Sequence, residues 1–180
     1  MIITNNDTLL RTKCGDAKPE EVGELIELLE RELDRSAKLG SEGIGLACPQ
    51  IGIHKNVAIV RIDKQYRIDL INCKIKNAYD PIIFKDEGCL SYPNRIEDTR
   101  RHQELHIIDN LAYPHSFIVS GLMSIVIEHE LDHLNGILFF DKAIKKSNKK
   151  IGPNDPCICG KIDPLTGRFL KFKKCCGRDI

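Results

Sequence analysis

Two histidines four residues apart frame the segment His129-Glu130-Leu131-Asp132-His133. On a helix that spacing puts both imidazoles on one face, one turn apart, where they can share a metal ion. Glu130 lies between them in sequence and can reach the open side of such an ion as general acid and base. The plainer reading is a helix with two incidental histidines. Burying two imidazoles and two acids in an otherwise apolar helix is costly without partners, which favours the metal.

Hydrolytic metal sites normally use three protein ligands and keep one position for water. A zinc endopeptidase would take its third ligand from downstream. Here Asn135-Gly136 stops the helix, and no His or Glu lies beyond it. The candidate lies upstream, at Cys89 in Glu87-Gly88-Cys89-Leu90-Ser91-Tyr92-Pro93, which would complete a Cys-His-His set. Glu87 and Arg95 are expected to support this loop from outside the ligand set.

A second concentration of ligand chemistry lies late in the chain, at Cys157, Cys159, Cys175 and Cys176. The N-terminus has no basic region leading into an apolar stretch, so no signal peptide is expected and the cytoplasm is the default compartment. No apolar run approaches a membrane span. A reducing compartment disfavours disulfides. The isolated Cys14 and Cys73 then read as small buried hydrophobes, but the late cluster is too dense for that.

A scaffold for these residues is legible in the rest of the chain. Apolar residues make up 42% and charged residues 29% of the 180, a globular balance that permits a real core. Pro19 to Lys38 predicts a helix: Pro19 suits a first helical position, Glu20 and Glu21 the first turn, and Val22, Leu25, Ile26, Leu29 and Leu33 form one stripe. Glu42 to Gly52 is a glycine-rich loop, but not a phosphate loop, since it lacks a Gly-Lys-Ser/Thr ending. Short β-type runs cover Val57 to Ile62, Arg67 to Asn72, Pro81 to Phe84 and Leu105 to Asp109. Without a regular strand and long-helix alternation, the sheet should be mainly antiparallel. Gly121 to Leu134 predicts the metal-bearing helix. Leu122, Ile125, Val126 and Ile127 make its first turns apolar nearly all round, the mark of a buried helix.

Charge divides the chain. From Lys142 to Ile180 there are eleven Lys or Arg against three Asp, a net +8, which leaves −7 on residues 1–141. Lys142 to Lys150 reads as a solvated linker. The segment from Gly152 to the C-terminus is too small for a core of its own and needs a staple.

Three segments together resemble peptide deformylase: Gly43-Ile44-Gly45-Leu46-Ala47-Cys48-Pro49-Gln50-Ile51-Gly52, then Glu87-Gly88-Cys89-Leu90-Ser91, then His129-Glu130-Leu131-Asp132-His133. Their order and separations are highly specific. The resemblance covers roughly residues 1–143 and implies an α+β fold, with antiparallel β-sheets around a buried helix carrying the two histidines. It implies that Cys89, His129 and His133 bind the catalytic metal, with water in the fourth place. That metal is typically ferrous iron; nickel, cobalt or zinc can substitute. Glu130 would accept the water proton and pass it to the leaving amine. Gln50 and the N–H of Leu90 would donate to the formyl oxygen. Gly43, Ile44, Gly45, Leu122, Ile125 and Val126 would hold the first side chain of the substrate, an N-formylmethionyl nascent polypeptide. A zinc endopeptidase and an inactive docking relative are the alternatives; intact Gln50, Cys89, Glu130 and both histidines argue against them. Three departures stand out. Cys48 replaces the family's usual alanine, Glu128 replaces a common glutamine, and the usual C-terminal helix gives way to the basic linker.

The last part resembles the SEC-C motif found at the end of the SecA translocation motor. Gly152 to Gly160 and Lys173 to Cys176 match its run, with fifteen residues between Cys159 and Cys175 where about eight are usual. The expected organisation is a catalytic domain over 1–143, a basic linker over 144–151 and a zinc-binding motif over 152–180. Four thiolates favour a structural zinc. Basic residues Lys142, Lys145, Lys146, Lys149, Lys150, Lys171, Lys173, Lys174 and Arg178, interleaved with Phe169 and Phe172, suit a phosphate-rich partner. Because the substrate arises at the ribosome, the ribosome is the expected docking partner.

Overall fold

A computed structural model describes residues 1–62, 66–109, 116–144 and 152–177. Linker residues 145–151 and the last three residues lie outside these, so the readings of Lys145, Lys146, Lys149, Lys150 and Arg178 are not reached. A short α1 (Asp7–Leu10) precedes α2 (Pro19–Lys38), which begins and ends where the sequence predicts. Its Lys18 N–H is capped by the Glu21 carboxylate at 2.9 Å, a local bond available only once the first turn forms.

Among the described residues six strands come after α2: β1 (Gly45–Ala47), β2 (Val57–Arg61), β3 (Arg67–Ile71), β4 (Lys74–Cys89), β5 (Tyr92–Ile108) and β6 (Ser116–Ser120). They form two three-stranded sheets, β1-β2-β3 and β4-β5-β6, with every named pairing antiparallel. Helix α3 (Leu122–Leu134) packs against both sheets. Alternation along β2 shows how the layers share one strand. Val57 and Ile59 pack with Leu25, Leu29 and Leu33 of α2, while Ala58 and Val60 pack with Val126, Ile127 and Leu131 of α3. Both faces of β2 are covered, so Val57 to Val60 are all fully buried.

The predicted helix over Gly121 to Leu134 forms with Gly121 as its N-cap, at φ +67°, where a side chain would be strained. The predicted run at 81–84 lies within a strand of 16 residues, and the run at 105–109 covers the end of a strand of 17 residues and Asp109 just beyond it. Pro81 hid the first of these. It is tolerated because β4 is the edge of its sheet, where a missing N–H breaks no ladder on the open side. Part of the glycine-rich loop is ordered as β1 and a 3₁₀ turn, Cys48–Ile51. Among the described residues no helix is long and apolar enough to cross a membrane.

Candidate metal centre

The centre is built where α3, β1 and the β4–β5 turn meet. On α3, four-residue spacing stacks the imidazoles of His129 and His133 edge to face, 4.9 Å between ring centres. Cys89 ends β4 and brings its Sγ to 3.2 Å from His133 Nε2. One ligand atom from each of Cys89, His129 and His133 falls within 4.8 Å of the others.

Charge from outside the trio aims these side chains. His129 donates through Nδ1 to Glu87 Oε1 at 2.6 Å, which fixes the tautomer and leaves its Nε2 lone pair for a ligand role. Glu87 is in turn gripped by Arg101 through Nε at 2.8 Å and Nη2 at 2.5 Å, and it accepts a further short bond from Thr99. Burial pushes the Glu87 carboxyl up. His129 and Arg101 outweigh that and hold it down at about 2, so it is a fixed anion. Arg101 also reaches Asp132 on α3 at 2.6 Å, pinning β5 to the helix. Sequence reasoning missed Arg101, because its partners lie 14 and 31 residues away and no local pattern marks it. Of the two residues expected to support the Cys89 loop, Glu87 orients His129. Arg95 does not join that network: it lies over the Phe140 ring at 3.7 Å and pairs with Glu97.

Glu130 is 4% exposed, and its Oε2 has no hydrogen-bond partner among the described residues. Burial raises its carboxyl to about 7, with His129 and Arg101 pulling the other way. The closeness of β1 explains the glycine there: a Cβ at Gly45 would collide with the Glu130 carboxyl. Gln50 accepts from the Ala47 N–H at 2.9 Å through Oε1, which turns its Nε2 toward Ser91 Oγ at 3.2 Å and Cys89 Sγ at 3.7 Å. Buried Glu128 points elsewhere, to Lys142 Nζ at 2.9 Å and the His102 N–H at 3.0 Å. It therefore adds no second acid beside Glu130. Cys48 is fully buried and its thiol is pushed up to about 12, so it offers no thiolate.

A cavity of about 600 Å³ opens onto this centre. Gly43, Ile44, Gly45, Gln50, Cys89, Leu90, Leu122, Ile125, Val126, His129 and Glu130 all line it. Ile125 and Val126 are buried at 6% and 8%, while Ile44 and Leu122 stand at 37% and 49%, so the latter pair sits toward solvent. His133 is behind the lining, 1% exposed. Glu42, Phe84, Asp86 and Pro93 also line the cavity and were not anticipated.

In the tail, Cys159 Sγ lies 3.4 Å from both Cys157 Sγ and Cys175 Sγ, and Cys175 lies 4.0 Å from Cys176. The four could hold one ion.

Fold and site thus define an antiparallel α+β protein with a buried helix presenting a candidate Cys-His-His metal centre beside a carboxylate. The chain matches the family described as Polypeptide deformylase over residues 1–149, and it belongs to that family. Peptide deformylase of Synechococcus sp. (strain CC9605) is 38% identical over 68% of this chain and 64% of its own length, so the match spans just under two thirds of that relative. Peptide deformylase of Syntrophomonas wolfei is 34% identical over 83% of this chain and 97% of its own. Among solved structures, a Synechococcus elongatus peptide deformylase in complex with actinonin superposes with a TM-score of 0.71 at 30% identity, covering 81% of each chain.

Proposed function

We propose that the protein is a metal-dependent peptide deformylase that hydrolyses the N-formyl group of formyl-methionine at the start of newly made chains. The observation that carries this reading is the convergence of Cys89, His129 and His133 with buried Glu130 at the head of one cavity. The donor set fits a divalent ion: one sulfur and two imidazoles suit iron, nickel, cobalt or zinc, and by family resemblance the ion is ferrous. Cys89, His129 and His133 would hold it, and when bound it supplies a strongly polarised water near neutral pH.

The remaining chemistry belongs to the chain. Glu130, poised near neutrality by burial, takes a proton from the attacking water and returns it to the departing amine. The water oxygen joins the formyl carbon, the carbon–nitrogen bond breaks, and formate leaves with a free N-terminal amine. Negative charge grows on the formyl oxygen. Gln50 Nε2, held by its own Oε1 on Ala47, and the Leu90 N–H are the donors for it. Gly43, Ile44, Gly45, Leu122, Ile125 and Val126 form the slot for the methionine side chain. Formate release from formyl-Met-Ala-Ser, compared with acetyl-Met-Ala-Ser and with internally cleavable peptides, tests the reading. Release from the formyl peptide alone is expected; internal cleavage would instead indicate an endopeptidase.

For the tail, the reading is a SEC-C-like unit over 152–180, tethered by 144–151 to a catalytic domain over 1–143 and stapled by zinc on Cys157, Cys159, Cys175 and Cys176. A tetrahedral ion with bonds of about 2.3 Å keeps sulfurs ~3.8 Å apart. The observed 3.4–4.0 Å separations bracket that spacing. The basic tail would dock this cytoplasmic enzyme on ribosomal phosphate, raising local substrate concentration. Co-sedimentation with ribosomes at low and moderate salt, full chain against one cut after Lys142, decides it. Equal sedimentation of both would dispose of docking.

A further inference from the structure

Across β4 from the catalytic cavity lies a second groove, of about 500 Å³. One wall is β4, through Pro81, Ile82 and Ile83; the other is the tail, through Ile158, Leu170 and Phe172. Lys161 Nζ, 3.0 Å from Asp80 Oδ1, ties the tail to the strand. Successive side chains of a strand point to opposite sides. Here Phe84 and Asp86 line the catalytic cavity, while Ile83 and Lys85 line the groove. The two hollows share one strand as their dividing wall. β4 is the edge of its sheet, so among the described residues no further strand of that sheet stands beyond it.

The lining selects its occupant by chemistry. Ile82, Ile83, Ile158, Leu170 and Phe172 are all half-buried, so each keeps apolar surface to offer. Lys85, Lys161 and Lys174 also line the groove, and no Asp or Glu among the described residues does. Lys161 is matched by Asp80 and Lys85 by Asp98, at 3.3 Å; Lys174 has no ion pair among the described residues. Apolar walls with a few lysines suit a bulky apolar side chain that has carboxylates beside it. A nucleobase fits less well: its polar edges would be buried with no amide or hydroxyl side chain in the lining to bond them. An added strand fits less well too. Asp80 has φ +49° and Pro81 has no N–H, so the edge lacks a regular ladder at this end of the groove. Side chains, not backbone pairing, decide what the groove holds.

We propose that the groove between β4 and the tail is a second binding site for the substrate chain, taking a bulky apolar side chain with acidic neighbours several residues after the formyl-methionine. The inference rests on the deformylase reading, which puts the formyl end at Glu130 and sends the chain outward past Phe84 and Asp86. Crossing one strand and the side chains on its two sides takes on the order of 15 Å, and an extended chain advances about 3.3 Å per residue. About the sixth to eighth residues therefore reach the groove. Binding so far from the formyl carbon is the same before and during the reaction, so it lowers KM and leaves kcat alone. The tail then acts on the substrate directly, and only on chains long enough to cross β4.

Three formyl peptides of about twelve residues test this. All begin formyl-Met-Ala-Ser and continue in Gly and Ser, and they differ only around the seventh residue, which sits in Glu-Leu-Glu, Lys-Leu-Lys or Ser-Gly-Ser. Formate release gives kcat and KM for each. In the full-length protein KM for the Glu-Leu-Glu peptide should lie about tenfold below that for Ser-Gly-Ser, with kcat within about twofold, and Lys-Leu-Lys should fall between. Ile158→Asp puts a charge on the apolar wall and should bring the Glu-Leu-Glu and Ser-Gly-Ser values within about twofold. Lys174→Glu changes an exposed side chain and should erase the advantage of Glu-Leu-Glu over Lys-Leu-Lys, which keeps the test decisive if Ile158→Asp folds poorly. Each readout is a ratio within one protein, so a change in overall activity does not disturb it. Equal KM values for all three peptides, or an unchanged ratio in either folded variant, would overturn the second site. Equal KM values together with salt-sensitive binding of a labelled oligouridylate, lost in Lys174→Glu, would give the groove to RNA instead. Inertness toward all three peptides would overturn the deformylase reading, and the second site with it.

Discussion

At the scale of single residues, the site depends on one acid held near neutrality and one buried cation that no substrate touches. Glu130 has the geometry of a proton carrier, so Glu130→Gln should keep the metal and lose turnover by a factor of about 10²–10⁴. Metal content and formate release on the same preparation check it; activity within tenfold of wild type would remove Glu130 from the reaction. Arg101 acts through others. It is fully buried against Glu87 and Asp132, and Arg101→Met would take the arginine partner from both anions, leaving Glu87 to His129 and Thr99 and Asp132 to Lys142. Breaking such a pair costs about 3–5 kcal/mol, on the order of 10 °C in Tm for a chain of this size. Since Glu87 orients His129, catalytic metal affinity should fall roughly 10–100-fold as well. A variant that is less stable but binds metal normally would show Arg101 to be structural only. The pair His129 and His133 was legible from spacing, because helical periodicity is local. Arg101 was not, because its meaning comes from strands and a helix that meet only in the fold.

Among the elements, β1 and β4 set the shape of the site. β1 approaches α3 so closely that Gly45 has no room for a side chain. Gly45→Ala should therefore displace the Glu130 carboxyl without unfolding the sheet. Turnover would drop about a hundredfold, the effect of a misplacement near 1 Å, while thermal unfolding changes little. A normal kcat would mean that the carboxyl is free to move. β4 serves two sides at once: Phe84 and Asp86 line the catalytic cavity, and Ile83 and Lys85 line a second groove shared with tail residues such as Ile158 and Phe172. Helices α2 and α3 were readable because their stripes, caps and stops agree. The long strands were not. β4 is polar and exposed over most of its first half, carries a proline at an open edge and changes register twice near its end, so its alternation is broken where a reader would look for it. The role of Glu128 was likewise hidden until Lys142, fourteen residues on, was seen to be its partner.

For the whole molecule, the question is where the catalytic unit ends. The charge change places that boundary at about residue 143, where acidic sequence gives way to basic. The contacts refine it. Lys142, counted in sequence as the first residue of the basic segment, is the partner of the catalytic helix: its Nζ lies 2.9 Å from both Glu128 and Asp132, which are 2% and 6% exposed. Ala143 bridges to Thr99, and the Ile144 N–H donates to the Asp98 carbonyl at 2.7 Å. A chain ending at Ile144 keeps every one of these contacts; one ending at Asp141 leaves Glu128, among the described residues, with His102 and a longer approach of 3.6 Å to Arg101. The shorter chain should therefore melt lower by on the order of 10 °C, the cost of stranding a buried carboxylate. The chain ending at Ile144 should deformylate a short formyl-Met peptide within about twofold of the full protein, since the proposed ribosome docking would contribute nothing to a free peptide. Lys142→Met in the full chain separates the lost charge from the lost length and should reproduce most of the fall in Tm. Equal melting of the two truncated chains would show that Lys142 belongs to the linker, as its composition suggests, and not to the helix that carries the proposed metal ligands.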